Sequence, residues 1–252
     1  VNENRKESKY LKIAYLKRAE LHYDLQNISQ SISDYNQVIS ILKAIWKSRK
    51  NKSSLDEAIE IIEKVVTKRQ GLRSDEVTAD LLVDKSDIYG AYYKNYELAS
   101  KEANRAYLIY SQINGAFDKA MNCLQKVKKY REMDNRFDLD TRRIIIEHYR
   151  KNSFSNCRQE FKEIIEHYFS EKQFGKAWQE VLSLSSLCEV SERANLGLED
   201  LEEYATKFRL KEANKERKKT LQRGIEFATL FENYEKKSSF GKKLAEACHD
   251  DK

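Results

Sequence analysis

One helix pattern is written again and again along these 252 residues, and no proline interrupts it. The plainest instance is a near-copy: Ile145-Ile146-Glu147-His148-Tyr149 returns as Ile164-Ile165-Glu166-His167-Tyr168. An aromatic follows each copy (Phe154, Phe174). A small residue comes three later (Cys157, Ala177), and an apolar one four beyond that (Phe161, Val181). Self-similarity at a period of tens of residues marks stacked repeats. Each unit of such a stack leaves an apolar side open until a neighbour covers it.

Composition agrees with a stack. Charged residues make up 35% of the chain and the apolar set 40%, lean for a thick core but enough for thin seams between helix pairs. Seven glycines and no proline allow long helices with short joints. Fifteen tyrosines and ten phenylalanines supply bulk and argue against disorder. The charge of +6, from 47 basic and 41 acidic residues, is a mild excess on a heavily charged surface and speaks for solubility.

Cys123, Cys157, Cys188 and Cys248 are far apart and form no C-x-x-C pair. Three of them lie in apolar helical patterns, which predicts reduced, buried thiols in a cytoplasmic or nuclear protein. No apolar run approaches the about 20 residues of a membrane span, so no membrane partner is expected. No cationic start leads into an apolar stretch of the secretory kind. The chain opens on Val1 and its last helix stops soon after Ala247, so a piece of a longer array, or a C-terminus docked on a partner, is the expectation.

The whole chain reads as helix, with no alternation of period two. Ser8 is expected to cap a first helix from about Lys9 to Leu25, and Asn27 to Gln30 a second to about Arg49. Ser54-Leu55-Asp56-Glu57 reads as a capping box for a third that ends near Gly71. Ser74 is expected to cap a fourth. Two more follow over about 96–113 and 117–131, then three over about 139–151, 154–169 and 174–190. Residues 198–237 fill two helices with a break near Leu210, and the last starts near Phe240.

Residues 161–184 carry Phe161, Ile164, Ile165, Tyr168, then Ala177, Val181 and Leu184. Residues 15–38 carry Tyr15, Ala19, His22, Ser31, Tyr35 and Val38; residues 107–127 carry Tyr107, Leu108, Ala120, Leu124 and Val127. Phe227, Leu230, Phe231 and Tyr234 open another unit. This order of aromatic, small and Tyr positions resembles the tetratricopeptide repeat, in the longer form found in kinesin light chains and bacterial peptide-sensing regulators. Small residues let antiparallel helices approach, and large ones fill the holes between them. Leading helices recur near residues 15, 104, 141 and 227, one or two units of about 40 apart. Arg18 stands where Leu is usual, and the closing Pro is missing from every unit. The resemblance implies an all-α fold: a right-handed superhelical solenoid of about 11–12 helices, one domain over 1–252.

It also implies a scaffold whose leading helices hold a peptide or partner helix in a groove. Carried over one residue past each family position, the groove candidates are Leu16, Glu20, Tyr23 and Asp24; Arg105, Ile109 and Gln112; Arg142, Ile146, Tyr149 and Arg150. Leu16 with Glu20, and Arg142 with Ile146, do not match the chaperone-type clamp for a C-terminal carboxylate. Arg105, Arg142 and Arg150 would make a basic stripe suited to an acidic ligand. A second basic set, Lys207, Arg209, Lys211, Lys215, Lys218, Lys219 and Arg223, is a candidate contact for an acidic partner or for nucleic acid. A peptide-responsive regulator and a nucleic-acid-associated repeat are therefore the alternatives.

No Gly-rich phosphate loop, H-E-x-x-H or G-x-S-x-G occurs, so an enzyme is not expected. His148 and His167 repeat at equivalent positions beside Glu147 and Glu166, but successive helical residues face different ways and zinc wants three or four converging ligands. No metal and no cofactor are expected.

Overall fold

Among the described residues there are twelve α-helices, a π-helical segment and one 3-10 turn, and no strand. The computed structural model describes residues 3–49, 51–69 and 76–249, without the side chains of 3–8, 49 and 151. The helices are α1 Glu3–Asp24, α2 Ile28–Arg49, α3 Lys52–Arg69, α4 Glu76–Asp87, α5 Tyr96–Tyr110 and α6 Phe117–Met133. They continue with α7 Leu139–Asn152, α8 Phe154–Ser170, α9 Phe174–Leu187, α10 Ala194–Leu210, α11 Asn214–Leu230 and α12 Tyr234–His249. The π-helical segment Ile88–Tyr93 continues α4, and the 3-10 turn Ser191–Arg193 leads into α10. Two compact units divide the chain, Val1–Asp138 and Leu139–Lys252.

Five of the joints share one conformation. Gln26, Asn135, Lys172, Glu212 and Glu232 all take a left-handed φ between 54° and 58° directly after a helix. The next amide then donates back to a carbonyl in the last helical turn, as Gln173 N to Tyr168 O at 2.8 Å and Ala213 N to Phe208 O at 2.9 Å. That closes each helix with the paired bonds of a Schellman turn, in which glycine is the favoured residue. Here none of these positions is glycine, so each accepts a strain of about 1 kcal/mol.

In the first unit, sequence neighbours pack side by side and second neighbours are tied by ion pairs. Lys12 to Glu57 (2.7 Å) and Lys64 to Glu20 (2.6 Å) join α1 to α3. Lys43 to Asp84 (2.5 Å) joins α2 to α4, and Lys119 to Glu76 (2.8 Å) joins α4 to α6. Odd and even helices therefore form two rows. Tyr35, Ile39, Leu42, Leu55, Ile62, Leu81, Leu82 and Ile88 fill the seam between them. Small residues mark the close crossings: the Ser31 hydroxyl donates to the Ala19 carbonyl at 2.8 Å and the Ser86 hydroxyl to the Ala99 carbonyl at 2.7 Å. Gly90 lies under the Tyr130 ring with no room for a Cβ.

The second unit repeats the plan. Arg158 forms a two-pronged pair with Asp200 (2.7 and 2.8 Å), and Lys162 reaches Glu203 at 3.0 Å, joining α8 to α10. Arg143 donates to Glu180 at 2.5 Å, from α7 to α9. Cys157, at the place Ser31 holds in the first unit, sets its Sγ 3.8 Å from the Ile146 carbonyl. Gly197 receives the Phe227 ring and Gly224 the Phe240 ring. Cys123, Cys157 and Cys188 are buried and unpaired, as their apolar stripes predict.

Several local expectations are corrected. α1 begins at Glu3, so Ser8 lies inside it; charged, helix-favouring residues carry the helix past the expected start. The Ser54 hydroxyl donates to the Asn51 carbonyl at 2.7 Å, while the Asn51 side chain accepts from Ser53 N at 3.2 Å. Asn51 is thus the cap, and Glu57 turns to Lys12 rather than back along its helix. The last helix starts at Tyr234 because the Asn233 side chain accepts from Lys236 N at 3.0 Å. Tyr234, read as the inner Tyr of a leading helix, is 74% exposed at that start. Ser74 and Gly71 lie outside the described residues.

Two substitutions test this packing. Gly224→Ala puts a Cβ 2.5 Å from the Phe240 ring, so a loss of about 1–3 kcal/mol is expected in thermal or urea unfolding. Glu212→Gly relieves the left-handed strain, and a gain of about 0.5–1 kcal/mol is expected in the same assay.

Candidate functional site

α9, α11 and α12 together frame a groove of about 490 Å³ in the second unit. Its residues follow from the register of each helix. On α9, Ala177, Val181 and Leu184 turn inward, which puts Trp178 and Leu182 one position round, on the rim. On α11, Thr220, Leu221, Gly224 and Phe227 are buried, so Lys218, Lys219, Gln222, Arg223 and Glu226 form the floor. On α12, Phe240 and Ala247 turn inward, and Leu244 and Cys248 make the second wall.

Three contacts fix these helices. Arg223 donates from Nε to the Ser185 hydroxyl at 3.3 Å and from Nη2 to Glu189, joining α11 to α9. Its Nη1 lies 3.7 Å from Glu226. The Phe240 ring over Gly224 joins α12 to α11. Glu202 accepts from Lys236 at 2.7 Å and from Lys243, tying α12 to α10. What results is an apolar cleft, Trp178 and Leu182 facing Leu244, over a floor of three cations and one carboxylate.

Most residues expected in a groove lie elsewhere. Arg142 is 3% exposed, with its Nη1 2.8 Å from Glu160 and paired also to Glu163, and Ile146 is 4% exposed. Both sit in the seam of their own unit, because α7 turns that face onto α8. Glu20 pairs with Lys64, and the Lys68 ammonium lies 3.9 Å from the Tyr23 ring, so this face of α1 meets α3. Leu16 and Ile109 pack against the first unit's core. Arg105 donates to Glu102 at 2.6 Å. Gln112, Arg150 and Asp24 are exposed and Tyr149 is half-buried. The expected stripe of Arg105, Arg142 and Arg150 is not formed as an open basic surface, since its first two members are paired internally.

The 207–223 set divides. α10 ends at Leu210 and α11 starts at Asn214, so the run turns a corner and faces two ways. Lys207 pairs with Glu166 and, at 2.9 Å, with Glu203. Arg209, Lys211 and Lys215 are exposed outside the groove, whereas Lys218, Lys219 and Arg223 line it.

Trp178, Leu182, Gln222, Glu226, Leu244 and Cys248 were not identified from sequence. A signal existed: Trp178 is one residue past the small Ala177, the offset used for the other candidates. The leading helices expected near residues 15, 104, 141 and 227 do not include α9, yet Arg143 with Glu180 and Arg223 with Ser185 set α7, α9 and α11 in one row.

No protein-family model matches the chain, and no curated protein matches it. Solved structures that resemble it include the de novo designed helical repeat protein DHR64, at 12% identity over 95% of this chain and 96% of that one, with a TM-score of 0.18. The DHF58 filament resembles it at 18% identity over 97% and 94%, with a TM-score of 0.14. Scores this low carry no weight, and the all-α fold rests on the chain's own helices. Among the described residues no helix is long and apolar enough to cross a membrane.

Cys248 is the exposed thiol of the four. Burial pushes the Cys123 and Cys188 thiols up to about 11 and raises Cys157 as well. One fast-reacting thiol per native chain is therefore expected with a disulfide reagent at pH 8, and four after unfolding; two or more fast thiols would contradict the buried assignments. Hydrogen bonds from Lys236 and Lys243 hold the Glu202 carboxyl below its ordinary value. Its stabilisation is present above the ordinary glutamate pKa and drains as pH falls through and below it. Glu202→Gln is expected to lower the unfolding midpoint at pH 7 and to make it fall less steeply between about pH 5 and 3.

Proposed function

We propose that this chain is a protein-interaction scaffold of the tetratricopeptide-like kind, which holds a peptide or partner helix and catalyses nothing. The observation that carries the reading is the α9–α11–α12 groove, with apolar walls and a charged floor in one open cleft. Concave sites that combine apolar anchors with a few oriented polar groups are what ligands use. An amphipathic helix laid in such a groove is a recurrent recognition mode. Reduced, buried cysteines fit work in the cytoplasm or nucleus.

A nucleic-acid role has less support. The basic run is split by the α10–α11 joint, and Lys207 and Arg223 are held by carboxylates of their own unit.

Trp178 and Cys248 give two independent reporters of occupancy. In a Trp46→Phe background, which leaves Trp178 as the single tryptophan, amphipathic peptides of acidic, neutral and basic character are titrated in. At least one is expected to shift Trp178 emission saturably and to slow alkylation of Cys248. If no member of the series does either, the scaffold reading of this groove is wrong.

A further inference from the structure

From the same groove we infer the chemistry of its occupant: an acidic segment of another protein, anchored by a large apolar side chain between Trp178 and Leu244. The inference rests on the scaffold reading and adds the sign and the anchor. The floor and rim carry Lys218, Lys219, Arg223 and Glu226, and Lys218 already has a partner within the protein. Arg223 is already balanced by Glu189 and Glu226. Lys219 is exposed and has no ion pair among the described residues, and its charge is therefore available to a partner.

The cleft walls are apolar, so a carboxylate meeting Lys219 does so beside low-dielectric surface, where attraction exceeds that in open water. A basic segment would meet like charge at the same place, which disfavours it. The apolar half of the match comes from Trp178 and Leu182. Leu182 is 39% exposed although its helix is otherwise well covered on its inner side. A tryptophan lining a cleft is the residue type on which binding free energy concentrates. Nucleic acid fits less well, because single strands need successive stacking platforms and this groove has one tryptophan.

The test uses the full chain and four probes: a glutamate-rich amphipathic peptide with a leucine and phenylalanine face, its lysine-for-glutamate counterpart, its serine-for-apolar counterpart, and an oligouridylate. Binding is read by fluorescence anisotropy and by protection of Cys248 from alkylation. The acidic apolar peptide is expected to bind at least about tenfold tighter than the lysine and serine versions, and to weaken as salt rises from about 0.05 to 0.5 M. Lys219→Glu and Trp178→Ala are each expected to weaken it about fivefold or more. Lys219→Glu is a surface change and should keep the wild-type melting midpoint, so its effect is not one of folding.

Equal or tighter binding of the lysine peptide overturns the acidic assignment and leaves the scaffold reading standing. Equal binding of the serine peptide overturns the apolar anchor in the same way. Protection of Cys248 by oligouridylate at similar strength overturns the inference in favour of nucleic acid. If no peptide binds at all, the inference and the scaffold reading fall together.

Discussion

Rings seated on glycines hold this architecture at its helix crossings. Gly90 lies under Tyr130, Gly197 under Phe227 and Gly224 under Phe240, each too close for a Cβ. A glycine within a helix costs about 1 kcal/mol against alanine. Burying a phenylalanine ring returns about 1.5–3 kcal/mol, so each exchange favours the close approach. Phe227 and Phe240 are in fact almost wholly buried. The groove depends on the same contact, since α12 forms its wall only because Phe240 brings that helix down onto α11.

Ion pairs then set which helix lies beside which. Tied residues of second-neighbour helices stand 34 to 45 positions apart, from Lys236 and Glu202 to Lys12 and Glu57. Exposed pairs of this kind are worth about 0–1 kcal/mol each, so they add little to stability. Their repetition gives a register instead. Lys85 is the strongest case, buried between Glu63 of α3 and Glu102 of α5. A slip that left this ammonium buried and alone would cost about 3–5 kcal/mol. Arg142, between Glu160 and Glu163, imposes the same condition on α7 and α8.

Much of the fold is legible in the sequence because repeat signals are local. Periodic apolar residues placed twelve helices, and the small positions Ala19, Ser31, Cys157 and Ala177 all fall at buried crossings. The roughly 40-residue period reappears in the spacing of the ion pairs. Helix ends were harder. Among the described residues, all the left-handed joints but the one at Gly115 use Gln, Asn, Lys or Glu where glycine would announce them. The α11–α12 joint was missed for this reason: Phe231-Glu232-Asn233-Tyr234 reads as continuing helix until Glu232 is seen with φ of 54°.

The groove was less legible, and the cause is geometric. Its residues come from three helices, and no stretch of sequence holds both Trp178 and Leu244. A basic run from Lys207 to Arg223 looks like one surface on paper, yet a three-residue joint between α10 and α11 sends Arg209 and Lys211 away from Lys218 and Lys219. The arginines that did look like a site proved to be structural: Arg142 holds α7 to α8, and Arg105 turns to Glu102 on its own helix. In a chain where a third of the residues are charged, many charges are taken up by ion pairs inside each unit. A binding surface here is therefore marked less by how many cations it has than by which are left over once the internal ladder is satisfied. Beside Trp178 and Leu244, Lys219 is such a cation.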